Sequence, residues 1–286
     1  MNIAVVLAGG SGSRMGMVDR PKQFIDIYGK PVIIHTLEAF EINERIDAIC
    51  VVCVKAWQED LSMWLKEYDI RKVRWITDAG ASRQESSLNA LNAIQAECSG
   101  DDYVIIHDAA RPLVSQKIIN ENIEKVKEFG ACDTVIPAHD TIIKSVDEKT
   151  LDSIPLRKEL YLGQTPQSFK YSIVRKAYDD YFAIPEDKRP VMTDDCGLVL
   201  SAGVKIGMAM GDKVLKDIVN TFSRQIFSDG IIGRIGGDKF ICFCNRDNID
   251  TALLSDRMKY SIETANEKYR LFIQAGLYYV EDRTIP

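Results

Sequence analysis

Long apolar runs are missing from this chain of 286 residues. None approaches the ~18 consecutive apolar residues of a membrane span, so no membrane partner is expected. The apolar start at Met1–Leu7 is too short for a secretory leader and has no basic residues before it. The expected location is the cytoplasm. A cationic excess is missing too: 36 Lys and Arg against 42 Asp and Glu leave a formal charge of -6. That balance argues against a general nucleic-acid binder, although one pocket could still be locally basic. A cysteine set for a metal is missing as well: Cys50-Val-Val-Cys53 is a lone C-x-x-C inside an apolar run, with no second pair to complete it. The seven cysteines are scattered, several inside apolar runs, which is the pattern of reduced, buried thiols. The remainder is ordinary for a globular protein, with 46% hydrophobic and 27% charged residues. The length suits one large α/β domain with an appendage.

Short apolar segments alternate with helix-period segments over the first two hundred residues. Strands are expected at Ile3–Leu7, Ile46–Val54, Val73–Ile76, Tyr103–Ile106 and Thr134–Pro137. Helices are expected at Pro31–Phe40, Gln58–Lys66, Arg83–Cys98 and Ile118–Phe129. This alternation predicts a mostly parallel, Rossmann-like sheet with helices on both faces, whose ligands bind at the carboxyl ends of the strands. Two stretches depart from it. Thr141–Ile154 reads as two short strands around an Asp-Glu-Lys turn, an arm (about 139–158) that could project from the sheet and meet a second subunit. Beyond residue 207 the pattern changes to a helix (Lys213–Phe222), a hairpin (Gly230–Phe243), a helix (Ile249–Ala265) and a strand (Phe272–Val280). That predicts a separate small α+β fragment over 208–286.

The densest motif follows the first strand directly. Leu7-Ala-Gly-Gly-Ser-Gly-Ser-Arg-Met-Gly16 holds four glycines within eight residues. Such a loop lets backbone wrap a ligand closely and lets bare N–H groups cradle phosphate oxygens. Arg14 and, in Arg20-Pro-Lys-Gln23, Lys22 add positive charge. No Gly-Lys-Ser/Thr follows the glycines, so this is not a P-loop. Arg14 follows the glycines in place of the helix-packing glycine that completes the dinucleotide fingerprint. Further along, Asp108 in His107-Asp-Ala-Ala-Arg-Pro112 falls at a strand end, where a carboxylate can hold Mg2+ against triphosphate oxygens. Arg111 suits either a phosphate or a structural ion pair. His107 reads as a packed or hydrogen-bonded residue.

Leu-Ala-Gly-Gly-x-Gly-x-Arg-Met-Gly followed by Pro-Lys-Gln resembles the signature of the sugar nucleotidyltransferases. The likeness is strongest to the 2-C-methyl-D-erythritol 4-phosphate and D-ribitol-5-phosphate cytidylyltransferases. It continues through Gly80-Ala-Ser-Arg-Gln-Glu-Ser86, Asp140-Thr141, Ile154-Pro-Leu-Arg157 and Gly163-Gln-Thr-Pro-Gln-Ser-Phe169, and it runs from residue 1 to about 207. The resemblance implies a Mg2+-dependent transfer of CMP from CTP to a polyol phosphate, releasing pyrophosphate. Arg14 and Lys22 would stabilise the pentacovalent phosphate of the transition state. Leu7, Ala8, Gly9, Gly10, Gly80, Arg83, Ser86 and Thr165 would lie on the nucleotide, and Asp108 would place the metal. Thr141, Arg157 and, if not spent on an ion pair, Arg111 would hold the acceptor. Arg157 would also serve catalysis, and the arm implies a homodimer. Ile-Pro-Leu-Arg and Gly-Gln-Thr-Pro-Gln-Ser-Phe look nearer the ribitol-phosphate branch, but both acceptors stay open.

After Val204-Lys-Ile-Gly207 the family's Asn-Ile-Lys-Ile-Thr-like closing segment is not recognisable, and only Lys216 falls near its lysine. Gly211-Asp-Lys-Val-Leu-Lys-Asp217, followed by Gly233-Arg-Ile-Gly-Gly-Asp-Lys-Phe240, instead resembles part of a GGDEF domain. Lys239 stands where that domain carries a metal-binding Glu, so this tail is expected to be inactive. Two rival readings follow. One is a catalytically impaired CTP-binding scaffold, and the other is a cyclic-dinucleotide signalling protein.

Overall fold

A computed structural model describes residues 1–10, 20–27, 29–138 and 140–211, together with 231–236, 239–243, 258–263 and 268–273. Two compact units divide the chain, Met1–Asp212 and Lys213–Pro286.

The first unit is built on strand β1 (Asn2–Ala8), which runs parallel between β4 (Ala48–Cys53) and β6 (Tyr103–Asp108). A two-residue pair, β2 (Asp26–Ile27) with β3 (Lys30–Pro31), sits beside the sheet. Strands β5 (Val73–Asp78), β7 (Ala131–Pro137), β8 (Tyr161–Lys170) and β9 (Gly207–Met210) complete the order β5-β4-β1-β6-β8-β7-β9. Only β8 runs antiparallel to its neighbours, β6 and β7. The mostly parallel sheet is therefore as expected.

Alternation along β1 shows why two helical layers form. Ala4, Val6 and Ala8 pack on one face with Ile33, Leu37 and Phe40 of α1 (Val32–Glu41), Leu61 of α2 (Gln58–Glu67) and Ile119 of α4 (Gln116–Phe129). Ile3 and Val5 pack on the other face. Their partners are Leu91 and Ile94 of α3 (Arg83–Ile94), Val174 and Tyr178 of α5 (Tyr171–Ala183) and Leu198 of α6 (Asp195–Ser201). A strand buried on both faces must be apolar at every position, and all six residues of β4 are buried. Helix ends follow local chemistry. Ser82 and Ser115 cap α3 and α4 by accepting the N–H groups of Glu85 and Ile118, and Gly130 closes α4 at φ 78°, a left-handed conformation suited to glycine.

The structure departs from the sequence reading at four places. The arm does not form a two-stranded hairpin. Between 141 and 154 it has one antiparallel bridge, Lys144 to Ser153, and a turn in which Asp147 accepts N–H groups from Lys149 and Thr150. Its side chains have no sheet face to bury against, so ladder formation gains little. Second, Tyr161–Lys170 is a full strand although it carries Gly163, Pro166 and a run of polar residues. Its buried Gln167 and Ser168 are satisfied by Asp133, Asp194 and Asn122. Third, Gly207–Met210 belongs to the first unit's sheet and not to the tail. It pairs parallel with β7, burying Gly207 and Ala209 while Met208 and Met210 face outward.

The fourth departure lies in the tail. Met258–Glu263 (β12) is a strand within the expected helix Ile249–Ala265, and it pairs with β13 (Lys268–Ile273). The pairing sets Met258, Tyr260 and Ile262 opposite Ile273, Leu271 and Tyr269. That two-residue period outweighs the helical reading. The expected hairpin at Gly230–Phe243 forms as β10 (Ile231–Gly236) with β11 (Lys239–Phe243). The expected helix Lys213–Phe222, Gly237 and Asp238 lie outside the described residues.

Candidate active site

The carboxyl ends of β1, β4, β5 and β6 meet at one edge of the sheet. Ala109 donates its N–H to Leu7 (3.0 Å), and Ala79 donates to Cys53 (3.2 Å). The turn after β1 is held from below. Pro21 leads into a short 3-10 turn, Lys22–Phe24, that buries Gln23 and Phe24. The Gln23 amide nitrogen donates to the carbonyls of Ala8 (2.7 Å) and Gly10 (2.9 Å). Phe24 stacks on Trp57 at 4.7 Å, and the Arg20 guanidinium lies 5.7 Å from the centre of the same ring. Pro-Lys-Gln thus buries its glutamine as a clamp on the glycine turn and leaves Lys22 exposed. Gln23 was not singled out from sequence, and its position within that tripeptide was the available signal. Arg14 lies outside the described residues.

Glycine is required at the next contact. A Cβ on Gly9 would stand 2.7 Å from Ala79 Cβ and 3.3 Å from Ser86 Oγ, whereas one on Gly10 would meet nothing within 4 Å among the described residues. A Cβ on Gly80 would fall 2.2 Å from Glu85 Cβ and 2.8 Å from Ser86 N. Buried Ser86 accepts from the Gly80 N–H (3.0 Å) and donates to the Ser82 carbonyl (2.9 Å). Glu85 accepts from the Ala81 N–H at 2.6 Å. The Gly80–Ser86 stretch is thereby folded back on itself against the glycine turn. Gly10 is the open position, where a ligand could approach the backbone.

Asp108, at the end of β6, takes two guanidinium groups. Arg83 Nη1 donates to Oδ1 (2.7 Å), and Arg111 Nε donates to Oδ2 (2.9 Å). Burial pushes the Asp108 carboxyl up, but the two arginines, Arg83 first, outweigh it and hold its pKa at about 2. Of the two readings left open for Arg111, the ion pair is the one formed. Arg83 also reaches the fully buried Asp195 (Nη2 to Oδ2, 2.8 Å). Burial opposes the Arg83 charge, yet Asp195 and Asp108 together raise its pKa. Tyr178 donates its hydroxyl to the other Asp195 oxygen. Thr165 Oγ1 accepts the Asp108 N–H at 3.3 Å, joining β8 to the site. His107 is fully buried, which lowers its pKa to about 4. As a neutral ring it donates Nε2–H to the Arg111 carbonyl (3.0 Å) and shapes the turn. This is the structural part expected of it.

Leu7, Ala8, Gly9, Gly80, Arg83, Ser86, Asp108, Arg111 and Thr165 thus form one linked constellation. Thr141 and Arg157 form another: both are exposed, and Arg157 Nη2 donates to Thr141 Oγ1 at 3.3 Å. The structure brings these two together, but among the described residues none of their hydrogen bonds reaches the strand-end cluster. Asp195 and Tyr178 were not singled out from sequence. A second carboxylate directly after the helix-capping Asp194 was the one clue.

A parallel sheet with a glycine turn after its first strand, an adjacent helix start and a carboxylate at the neighbouring strand end fits the nucleotide-binding edge of an α/β nucleotidyltransferase. Comparison with known proteins narrows the class. The family model for IspD, 2-C-methyl-D-erythritol 4-phosphate cytidylyltransferase, matches residues 2–220. A ribitol-5-phosphate cytidylyltransferase of Lactiplantibacillus plantarum is 39% identical over 230 residues, 80% of this chain and 97% of that protein. Among solved structures, 4-diphosphocytidyl-2C-methyl-D-erythritol synthase from Anaerococcus prevotii matches with a TM-score of 0.64 at 25% identity. It covers 74% of this chain and 89% of that one. The Francisella tularensis 2-C-methyl-D-erythritol 4-phosphate cytidylyltransferase matches with a TM-score of 0.62 at 28% identity, covering 74% and 92%.

The chain belongs to the IspD family, and it is a cytidylyltransferase that moves a cytidylyl group from CTP to a polyol phosphate. The family match continues to residue 220, past the end near 207 expected from the motifs. Gly211–Asn220, with Lys213 and Lys216, is therefore family sequence, although its side chains lie outside the described residues.

Proposed function

We propose that the acceptor is D-ribitol 5-phosphate and the product CDP-ribitol. One observation carries this choice. The 39% identity to the ribitol-5-phosphate enzyme spans nearly all of that protein, whereas the two methylerythritol enzymes compared above stand at 25% and 28%. In the reaction, an oxygen of the acceptor's phosphate attacks the α-phosphorus of CTP, and the bond to pyrophosphate breaks. The attacking oxygen is already anionic at neutral pH, so the chain supplies position and positive charge instead of a base. Leu7, Ala8, Gly9, Gly10, Gly80, Ser86 and Thr165 line the nucleotide. Arg14 and Lys22 face the charge that builds at the α-phosphate, and Thr141 and Arg157 take the acceptor phosphate.

Mg2+ fits Asp108 as a shared ligand. Among the described residues no group of three or more His, Cys, Asp or Glu side chains could hold a metal ion. Asp108, however, is 29% exposed, and each of its oxygens keeps a lone pair after its arginine bond. One carboxylate plus triphosphate oxygens is a common magnesium environment. When bound there, the ion neutralises charge on the triphosphate.

Further support bears on assembly and location. The arm exposes Val146, Leu151, Ile154 and Leu156, each more than half accessible. This is the surface on which a homodimer would bury its arms, and light scattering of the purified protein tests it. The free cysteines Cys50, Cys53, Cys98, Cys132 and Cys196 suit the reducing cytoplasm, where CTP is made. Among the described residues no helix is long and apolar enough to cross a membrane.

The acceptor assignment is tested by pyrophosphate release from CTP with each polyol phosphate in turn. At least a tenfold higher kcat/KM is expected for D-ribitol 5-phosphate. The opposite preference overturns the assignment.

A further inference from the structure

The cytidylyl-transfer reading leaves the fully buried Asp195 without a task, and the geometry gives it one. We infer that Asp195 and Tyr178 are positioning residues for the reaction. Through Arg83 they lock the Asp108 carboxylate at the carboxyl end of the sheet.

The chain of contacts is continuous. The Tyr178 hydroxyl on α5 donates to Asp195 Oδ1 at the start of α6. Asp195 Oδ2 accepts from Arg83 Nη2 on α3 (2.8 Å), and Arg83 Nη1 donates to Asp108 Oδ1 (2.7 Å). Three helices of one layer thus converge on a single carboxylate at the end of β6. The two anchors of Asp108 differ in kind. Arg111 is half exposed and sits on the same turn as Asp108, so it moves with that turn and competes with water. Arg83 is held from the core by a carboxylate with no solvent access. Its Nε, by contrast, is buried without a partner among the described residues.

Two further points favour positioning over simple stabilisation. A buried ion pair is weak evidence for stability, because desolvation offsets much of its attraction. What it does supply is a fixed geometry. Charge also balances: Arg83 and Arg111 are matched by Asp108 and Asp195, so the Arg83 guanidinium is already engaged on both sides before any triphosphate arrives. Arg83 was expected to touch the nucleotide. Its bonds instead make it the link between the buried carboxylate and Asp108.

The inference rests on the cytidylyl-transfer reading but not on which acceptor is right. The assays therefore use whichever polyol phosphate the parent enzyme turns over. Failure of the acceptor assignment shows in the parent enzyme, and failure of the positioning role shows only in the variants. Three variants are compared by calorimetric CTP binding, which counts competent sites, and by kcat per competent site.

Asp195→Asn keeps the size of the side chain but removes the charge and one of its two acceptor oxygens. Its kcat per site should fall at least tenfold, while CTP affinity changes less than threefold. Tyr178→Phe leaves the Asp195–Arg83 pair in place and should lower kcat per site two- to threefold. Arg83→Lys keeps the charge but cannot bridge two carboxylates. It should lose kcat per site with CTP affinity retained, and it carries the test if Asp195→Asn does not fold. Fewer competent sites with kcat per site unchanged would reduce Asp195 to a packing role and overturn the inference. Weakened CTP binding in Arg83→Lys with kcat per site unchanged would make Arg83 a nucleotide contact and overturn it too.

Discussion

The strand-end cluster and the arm, which take the two halves of the reaction in the proposed mechanism, are built in opposite ways. At the strand ends, nearly every polar group is committed. Gln23 holds the glycine turn, Ser86 holds Gly80, and Asp108 has one bond to each of two arginines. In the arm, Arg157 has one long contact to Thr141, and apolar side chains stand in solvent. A site finished within one chain is preorganised before its ligand arrives. A site with free cations and uncovered apolar surface gains its order from what docks on it. The nucleotide half should therefore fail through geometry when mutated, and the acceptor half through lost contacts without loss of fold.

The largest effect is expected at Lys22, which is exposed but aimed at the reacting phosphate in the proposed mechanism. Lys22→Ala should lower kcat about a hundredfold, since one transition-state contact of this kind contributes about 3 kcal/mol. Steady-state kinetics should show CTP KM little changed. A variant with normal kcat and weak CTP binding would move Lys22 to the ground state.

Gly9 and Gly10 sharpen the contrast within the nucleotide half. Gly9→Ala pushes a methyl into Ala79, which cannot move aside because its own Cβ is fixed to the backbone. Overpacking of this sort costs about 1–3 kcal/mol, so both thermal stability and CTP affinity should drop. Gly10→Ala meets nothing within 4 Å among the described residues and should melt like the parent while still losing CTP affinity. Equal melting temperatures for both variants would show that the turn is looser than its contacts imply.

In the arm, Arg157→Ala should leave the melting temperature within about 1 °C, as expected for an exposed residue with one long hydrogen bond. Acceptor KM should rise about tenfold, the worth of a charged hydrogen bond of about 1.5 kcal/mol, with CTP KM unchanged. A drop in stability of several degrees would mean that the arm is as tightly built as the strand ends.

The smallest effect concerns Asp133 on β7, which shares the Gln167 amide with Asp194. Burial, and then the nearby Asp194 charge, raise its pKa from 3.8 to about 6. The folded state therefore binds this proton more tightly than the unfolded chain. That contribution is fully present below pH 3.8 and is lost as pH rises to about 6. Asp133→Asn should stabilise the protein at pH 7.5 by about 1–2 kcal/mol and give no gain at pH 4. Melting curves at the two pH values check the sign.

Much of this protein could be read along the chain. The alternation of strand and helix, the glycine turn and Asp108 at a strand end were all legible, because each depends on neighbours or on a short motif. Strand β8 was not. Its Gly163, Pro166, Gln167 and Ser168 lack strand propensity, and they form a strand only because Asn122, Asp133 and Asp194 complete their hydrogen bonds. Tertiary context decides strand formation more than composition does.

What the amino-acid order determined by itself was the family and the identity of the chemical groups: glycines for close approach, cations for phosphate and a carboxylate at the strand end. Only the tertiary structure decided how those groups are held. It buried Gln23 under the turn it clamps, tied Arg83 to Asp195 as well as to Asp108, and formed the ion pair between Arg111 and Asp108. The reason is distance. Arg83 and Asp195 are 112 positions apart, and a contact over that separation exists only once three helices have packed on the same face of the sheet.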